Sequence, residues 1–172
     1  AQGEIGSGEG DLNVVGEGSM RRALKDARED EAVKAIVLRV DSPGGSALTS
    51  DLIWREIEIT KKVKPVVVSM GNLAASGGYY ISCNANKIFA ENSTITGSIG
   101  VFGMLPNLSQ ITSKYGINTE LVETHKNASG YSPFEPLDAD FRNFTQEGVE
   151  SIYKTFVTRV ANGRKMTFAQ VD

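Results

Sequence analysis

Apolar residues in the first half of the chain fall into short runs, which glycine turns and amphipathic segments separate. The runs at 35–40 and 66–70 are nearly continuous, as is typical of strands buried on both faces of a parallel sheet. Apolar positions between these two runs recur at helical spacing. A third run at 87–90 indicates another strand. The pattern therefore predicts right-handed βαβ units in succession.

Further elements are predicted around this succession. Ser19 is expected to cap a helix that runs to about Asp30, and Ser46 or Thr49 is expected to cap the helix between the first two buried strands. The remaining predicted elements are a strand ending near Ile5, a helix from about Ser76, a short strand within 93–103, a helix at 106–115, a strand at 119–123 and a helix at 138–162. We predict one α/β domain over residues 1–172, with repeated β-β-α and βαβ units and a mostly parallel sheet flanked by helices.

Composition excludes several classes of protein. The 172 residues are 40% hydrophobic, enough for one domain with a core. The 18 basic and 21 acidic residues are interspersed, so no basic face predicts a nucleic-acid partner. One cysteine, Cys83, and one histidine, His125, do not supply the usual ligands of a zinc site, and we predict neither metal nor cofactor. We expect Cys83 to be a small buried residue. No apolar run reaches the roughly 18 residues of a membrane span.

The segment GNLAASGGYYISC at 71–83 places a single hydroxyl, Ser76, among very small side chains at a strand-to-helix turn. If Ser76 attacked a carbonyl, the first-turn amides of the helix would stabilise the developing oxyanion. The small neighbours would let a peptide approach the backbone closely. The alternative is that Ser76 is only an N-cap and that the glycines only allow close packing.

A second turn, DSPGGS at 41–46, follows the preceding buried strand. Adjacent parallel strands place their carboxyl ends side by side, so the amides of Gly44 and Gly45 are expected to lie close to Ser76. Two backbone amides from two loops could both donate hydrogen bonds to the oxyanion of a tetrahedral intermediate. A Pro-Gly turn that merely ends a strand is the alternative.

Two long segments, LRVDSPGGSALTSDLIWREI and PVVVSMGNLAASGGYYISCNANKIFAENSTITGSIGVFG, resemble the signal peptide peptidase A family, also called protease IV. These are membrane-associated serine proteases of the ClpP/crotonase fold, and the similarity is strongest over 36–103. The resemblance implies that Ser76 is the nucleophile and that the amides of Gly45 and Gly77 form the oxyanion hole. It also implies that Ser98, in TGSIG, helps to hold a catalytic lysine. Without the resemblance, Ser98 would be interpreted as stabilising a turn.

A serine nucleophile needs a proton acceptor, and the chain offers two candidates. His125 would complete a triad with Ser76 only by assembly in space, and a lone histidine in a polar loop is usually solvated. The family uses a lysine instead, and Lys126 lies in about the region where its short members carry theirs. Here a longer segment, NASGY, separates that lysine from the Ser132-Pro133 pair. The long members carry the serine in their C-terminal half and the lysine in their N-terminal half, so on this alternative the base lies outside the chain.

The resemblance implies a serine endopeptidase with a Ser/Lys dyad that cleaves hydrophobic peptides, such as remnant signal peptides, by acyl transfer. It also implies a homo-oligomer on the extracytoplasmic or periplasmic side of a bacterial membrane, anchored through a segment absent here. Because the chain begins with Ala1, we expect it to be a fragment of a longer protein. Two other functions stay open: a crotonase-like acyl-CoA enzyme that does not use Ser76, and an inactive half that serves assembly or peptide binding.

Overall fold

The computed structural model describes residues 1–125, 128 and 130–172. They form two compact units, residues 1–100 with 153–172, and residues 101–152. The elements in chain order are β1 (Glu4–Gly6), β2 (Val14–Gly16), α1 (Glu17–Glu29), β3 (Ile36–Ser42), α2 (Ala47–Lys61), β4 (Val66–Ala75), α3 (Gly77–Ser82), β5 (Lys87–Phe89), β6 (Ile95–Gly97), α4 (Ser109–Lys114), α5 (Ala139–Arg164) and α6 (Phe168–Val171).

The first unit is built on a parallel sheet. Strand β4 lies between β3 and β5, and its carboxyl end also pairs with β6. Val40, Val66 and Val68 in this sheet have no exposed surface, which explains why the strands appear in the sequence as continuous apolar runs. The predicted α/β fold with a mostly parallel sheet flanked by helices is confirmed.

Two groups of buried side chains hold the first unit together. The main core joins the sheet to the helices α1, α2 and α3. The second cluster joins α2 and α3 to the carboxyl-terminal half of α5, and burial of each large apolar side chain contributes about 1.5–3 kcal/mol. The buried members of this second cluster are Trp54, Tyr80, Cys83, Phe156 and Val160.

The helix caps agree with the sequence at one site and differ at another. The Ser46 side chain accepts a hydrogen bond from the Thr49 amide at 3.2 Å, so Ser46 is the cap of α2. The prediction for Ser19 is wrong: α1 begins at Glu17, with Gly16 at the N-cap position. The Ser19 hydroxyl instead donates to the Gly16 carbonyl at 3.2 Å, inside the first turn.

The second unit differs most from the prediction. The strand expected at 119–123 is wrong, because these residues are exposed and join no ladder in the described part of the chain. The Thr119 hydroxyl donates to the Glu135 carboxylate at 2.6 Å instead. The rings of Tyr131 and Phe141 stack at 6.1 Å between centroids. Across the described ranges, no helix combines enough length and apolar character to cross a membrane.

Candidate active site

Strands β3, β4 and β6 end at the same edge of the sheet. Ser42 is paired with Ala74, and Ala75 is paired with Gly97, in parallel register. The segments that follow these strands therefore start side by side, where ligands of parallel sheets usually bind. These segments carry Gly45, Ser76, Gly77 and Ser98, four of the residues for which the sequence predicts a role in catalysis.

Ser76 sits directly after β4 in a backbone conformation that is unusual for a residue with a side chain. Its φ is 51° and its ψ is −122°, and its side chain forms no capping bond to α3. The Ser76 amide donates to the Gly97 carbonyl at 2.9 Å, and the Ser76 carbonyl accepts from the Tyr80 amide at 2.8 Å. Ser76 is half-buried, and within the described part of the chain its hydroxyl has no hydrogen-bond partner. Ser76 occupies the N-cap position of α3, but its hydroxyl accepts no hydrogen bond from the amides of the first helical turn.

The loop after β3 packs directly on Ser76 and Gly77. Gly44 and Gly45 have φ values of 99° and 149°, which residues with a side chain rarely adopt. A methyl group on Gly44 would lie 2.5 Å from the Gly77 nitrogen and 2.8 Å from the Ser76 Cβ. A methyl group on Gly77 would lie 3.3 Å from the Gly45 nitrogen. The two loops therefore converge, as the sequence predicts, and the glycines permit backbone contact that side chains would prevent.

Hydrogen bonds fix the Gly44–Gly45 loop against β1, and the Gly45 amide is not part of this pairing. Ile5 donates to the Gly44 carbonyl at 2.7 Å, and Ser46 donates to the Ile5 carbonyl at 2.8 Å. The buried Ser42 hydroxyl accepts from the Gly44 amide at 3.1 Å. In a parallel bridge of this kind, the amide of the central residue, Gly45, points away from the neighbouring strand. The Gly45 amide is thus held in a rigid loop without being used by β1.

A bulge in the β3–β4 ladder lies just before Ser76. The Asp41 carboxylate accepts a hydrogen bond from the Leu73 amide inside this bulge at 3.1 Å. The Thr94 hydroxyl donates to the Gly71 carbonyl at 2.8 Å. The sequence pattern did not indicate a role for Asp41, whose one signal is a carboxylate between a buried strand and a Pro-Gly turn. Asp41 couples the strand that leads to the glycine loop with the strand that leads to Ser76.

Ser98 follows β6 at the register position next to Ser76. The pairing of Ala75 with Gly97 fixes this placement, and the Gly97 carbonyl accepts the Ser76 amide. Ser98 is exposed and has a φ of 50°. Its predicted role of holding a lysine stays a prediction, as do the catalytic roles of Ser76, Gly45 and Gly77.

The predicted bases belong to the segment around 125. Lys126 lies outside the described residues, so its assignment stays a prediction. His125 is exposed, and its Nδ1 atom lies 3.0 Å from the Thr124 hydroxyl oxygen. The triad with His125 likewise stays an untested alternative.

Cys83 and Tyr80 have packing roles. Cys83 is fully buried, as predicted, and its Sγ donates to the Tyr80 carbonyl at 3.1 Å. Burial raises the pKa of the Cys83 thiol to about 12, so the group stays protonated and is not nucleophilic at neutral pH. The Tyr80 ring lies 4.8 Å from the Phe156 ring, and its hydroxyl donates to Asp51 at 2.6 Å.

The chain is similar in sequence to known proteins. The family model described as "Peptidase family S49" matches residues 58–172. The chain is 43% identical over 172 residues to "Protease 4" of Haemophilus influenzae, an alignment covering 99% of this chain and 28% of that protein. It is 39% identical over 177 residues to "Serine protease SPPA, chloroplastic" of Arabidopsis thaliana, covering 100% of this chain and 26% of the relative.

The chain is also similar to a shorter protein that is named as a peptidase. The chain is 40% identical over 144 residues to "Putative signal peptide peptidase SppA" of Enterococcus faecium, covering 83% of this chain and 42% of that protein. The chain therefore spans between about a quarter and about two fifths of the length of these relatives.

Proposed function

Because this chain belongs to peptidase family S49, we propose that it carries the nucleophile and the oxyanion hole of a serine endopeptidase. The observation that supports the proposal best is the contact between the Gly44–Gly45 loop and the strained turn at Ser76 and Gly77. Positive φ at a residue other than glycine costs about 1–2 kcal/mol and persists where the surrounding structure enforces it. Such strain at a half-buried serine whose hydroxyl makes no capping bond favours a catalytic role over a purely structural one.

The chemistry follows from the positions of the groups. Ser76 Oγ attacks the carbonyl carbon of the scissile peptide bond and gives up its proton to a base. The amides of Gly45 and Gly77 donate hydrogen bonds to the carbonyl oxygen as it becomes negative. When the C–N bond breaks, the protonated base returns a proton to the leaving amine. Water then cleaves the acyl ester on Ser76 by the same steps.

The base in this proposal is a lysine. An amine accepts a proton near neutral pH only when burial or neighbouring positive charge lowers its pKa from about 10.4. The lysine is either Lys126 or a residue from the part of the longer relatives that this chain does not match. Ser98, beside Ser76, is proposed to hold the amine in place.

The proposed substrates are hydrophobic peptides, including remnant signal peptides. The name of the Enterococcus faecium relative supports this substrate class. Leu48 and Leu52, one turn apart at the start of α2, follow the Gly45 loop closely and are 72% and 37% exposed. An apolar pair in this place would favour apolar peptide side chains. We propose, further, a homo-oligomer at the extracytoplasmic face of a bacterial membrane.

A serine-directed fluorophosphonate tests the nucleophile directly. We expect the probe to modify Ser76, as mapped by mass spectrometry of tryptic peptides, and the Ser76→Ala variant to stay unmodified. Ser93→Ala, which removes an exposed serine from a nearby loop, is the matched control and should label like the original chain. Labelling that is equally fast in Ser76→Ala would refute the proposal.

The base is tested separately by peptide hydrolysis. If Lys126 is the base, Lys126→Ala abolishes cleavage of an apolar fluorogenic peptide while the fold is kept. The alternative is that the base lies in a segment that corresponds to the part of the longer relatives that this chain does not match. In that case the chain alone is inactive, it becomes active when this segment is added, and Lys126→Ala does not change the activity of the combined protein.

A further inference from the structure

The side chain of Ser42 is completely buried at the carboxyl end of β3. Its hydroxyl oxygen accepts a hydrogen bond from the Gly44 amide at 3.1 Å. Buried polar groups are normally hydrogen-bonded, because an unsatisfied one destabilises the fold. This bond satisfies both partners at once, and it keeps the Gly44 amide inside the protein.

Gly44 and Gly45 are consecutive in the chain, but their environments differ. Gly44 is buried, whereas Gly45 is exposed. Both backbone groups of Gly44 are engaged, since its amide donates to Ser42 and its carbonyl accepts from the Ile5 amide at 2.7 Å. Among the hydrogen bonds of the described residues, none involves the Gly45 amide. Gly45 is therefore the glycine of this loop whose amide is available to a substrate carbonyl.

Two hydrogen bonds hold the two peptide planes of this loop. The peptide bond between Gly44 and Gly45 is planar and trans, so its N–H points opposite to its C=O, which is bonded to Ile5. Ser42 holds the preceding peptide bond, which carries the Gly44 amide. Without such bonds a pair of glycines has wide backbone freedom. The orientation of the Gly45 amide thus depends on both bonds.

Ser42 also contacts the elements on either side of Ser76. It is paired in register with Ala74, two residues before Ser76. A methyl group on Gly78, in the first turn of α3, would lie 2.6 Å from the Ser42 carbonyl oxygen and 3.2 Å from the Ser42 Cβ. Ser42 therefore lies where the glycine loop meets both the strand and the helix that hold Ser76.

We infer that Ser42 is a positioning residue, whose hydroxyl holds the Gly44 amide so that the Gly45 amide faces the substrate carbonyl. The inference rests on the proposed function, because it concerns the oxyanion hole to which Gly45 is assigned there. Donors that are already oriented stabilise an oxyanion without reorganisation during the reaction. Ser42 acts through Gly45 and does not itself contact the substrate.

The kinetics of fluorophosphonate labelling at Ser76 test this role in the whole chain. The dependence on probe concentration separates the dissociation constant of the initial complex from the rate constant of bond formation. Ser42→Ala should lower the rate constant by at least about tenfold and leave the dissociation constant within about twofold. Ser42→Cys keeps a similar shape but offers sulfur, a weaker acceptor, and should be slowed in the same way.

Ser82→Ala is the matched control. Ser82 is also completely buried, and its hydroxyl donates to the Gly78 carbonyl at 2.6 Å, within α3 and away from the glycine loop. Removing either hydroxyl should lower the urea concentration at the midpoint of unfolding. Only the change at Ser42 should slow bond formation at Ser76, which separates positioning from a general loss of stability.

Amide signals in NMR spectra test the geometry without labelling. In the free chain, the Gly44 amide hydrogen should exchange with solvent at least about tenfold more slowly than the Gly45 amide hydrogen, and Ser42→Ala should remove this protection. In the chain labelled at Ser76, the phosphonyl oxygen takes the place of the oxyanion. The Gly45 amide proton should then shift downfield, and the Gly44 amide proton should not.

Failure of the proposed function and failure of the role of Ser42 give different results. If the probe does not label Ser76 in the original chain, the proposed function is refuted, and this inference with it. If Ser76 is labelled, but Ser42→Ala or Ser42→Cys reacts as fast as the original chain, the role of Ser42 alone is overturned. Equal slowing in Ser82→Ala, or an unprotected Gly44 amide, would overturn it as well.

Discussion

The Ser76 amide donates a hydrogen bond to the carbonyl of Gly97, which places Ser98 directly beside Ser76 at the edge of the sheet. Both serines have positive φ, 51° and 50°. The same strain thus occurs at the ends of two neighbouring parallel strands. Each instance is unfavourable by about 1–2 kcal/mol for a residue with a Cβ atom. Substitutions at Ser76, the proposed nucleophile, and at Ser98 can therefore be compared for their effects on stability and on reactivity.

Replacement of Ser76 should separate strain from chemistry. Ser76→Gly and Ser76→Ala both remove the hydroxyl, so both should abolish fluorophosphonate labelling. Glycine tolerates positive φ, and we expect Ser76→Gly to have the higher free energy of unfolding by about 1 kcal/mol. Denaturation in urea measures the difference. A more stable Ser76→Ala would show that the backbone at 76 is not strained.

Replacement of Ser98 should affect reactivity more than stability. Ser98 is exposed, so Ser98→Ala should change the free energy of unfolding by no more than about 0.5 kcal/mol. If its hydroxyl holds the lysine, labelling of Ser76 should slow by roughly tenfold, which corresponds to one hydrogen bond. Ser93→Ala provides the comparison. Unchanged labelling in Ser98→Ala would remove Ser98 from the proposed site.

Close packing at Gly77 makes a double-variant test possible. A methyl group there would lie 2.5 Å from the Ser50 hydroxyl oxygen, so Gly77→Ala should lower the free energy of unfolding by about 1–3 kcal/mol and slow labelling. Ser50→Ala removes the clashing atom and should restore part of both losses. Gly100→Ala, where nothing lies within 4 Å, should be neutral. Strictly additive effects at positions 77 and 50 would argue against this packing.

The Asp41 carboxylate should stabilise the bulge before Ser76. Asp41→Ala leaves the Leu73 amide without its partner, and we expect a loss of about 1–3 kcal/mol in the free energy of unfolding together with slower labelling. Asp41→Asn keeps an acceptor oxygen at the same place and should recover most of both. Kinetics of labelling and urea denaturation, measured in parallel, give the two readouts. Equal losses in the two variants would contradict the role assigned to the acceptor.

Burial of Cys83 should make the protein sensitive to alkaline pH. The unfolded thiol ionises near its ordinary pKa of about 8.5, whereas the folded thiol has a pKa of about 12. Above pH 8.5 the unfolded state releases a proton that the folded state keeps, so the free energy of unfolding should fall as pH rises toward 12. The slope from this group is at most about 1.4 kcal/mol per pH unit. Cys83→Ala should show a shallower decline between pH 8 and 10.5, and parallel curves would contradict the buried, protonated thiol.

The sequence alone determined the parallel sheet and the strand ends. The continuous apolar runs predicted β3, β4 and β5, because strands covered on both faces leave no polar alternation. The two glycine turns indicated Gly45 and Ser76 as neighbours, since adjacent parallel strands end together. The exposed 119–123 segment was predicted wrongly, because β propensity without a neighbouring strand does not make a ladder. The three-residue strand β2 was missed, since so short a segment carries no detectable period.

Tertiary structure decided what local pattern cannot encode. Ser76 and Ser98 have positive φ and directly follow the paired residues Ala75 and Gly97, a placement that hydrophobic periodicity does not predict. The role of Asp41 depends on an amide in another strand, reached through a bulge. A cavity beside Trp54 is lined by residues of α2, of the segment after α3 and of the end of α5, which only the fold brings together. Hydrophobic periodicity reports which face of an element is buried, whereas these features depend on contacts between residues distant in sequence.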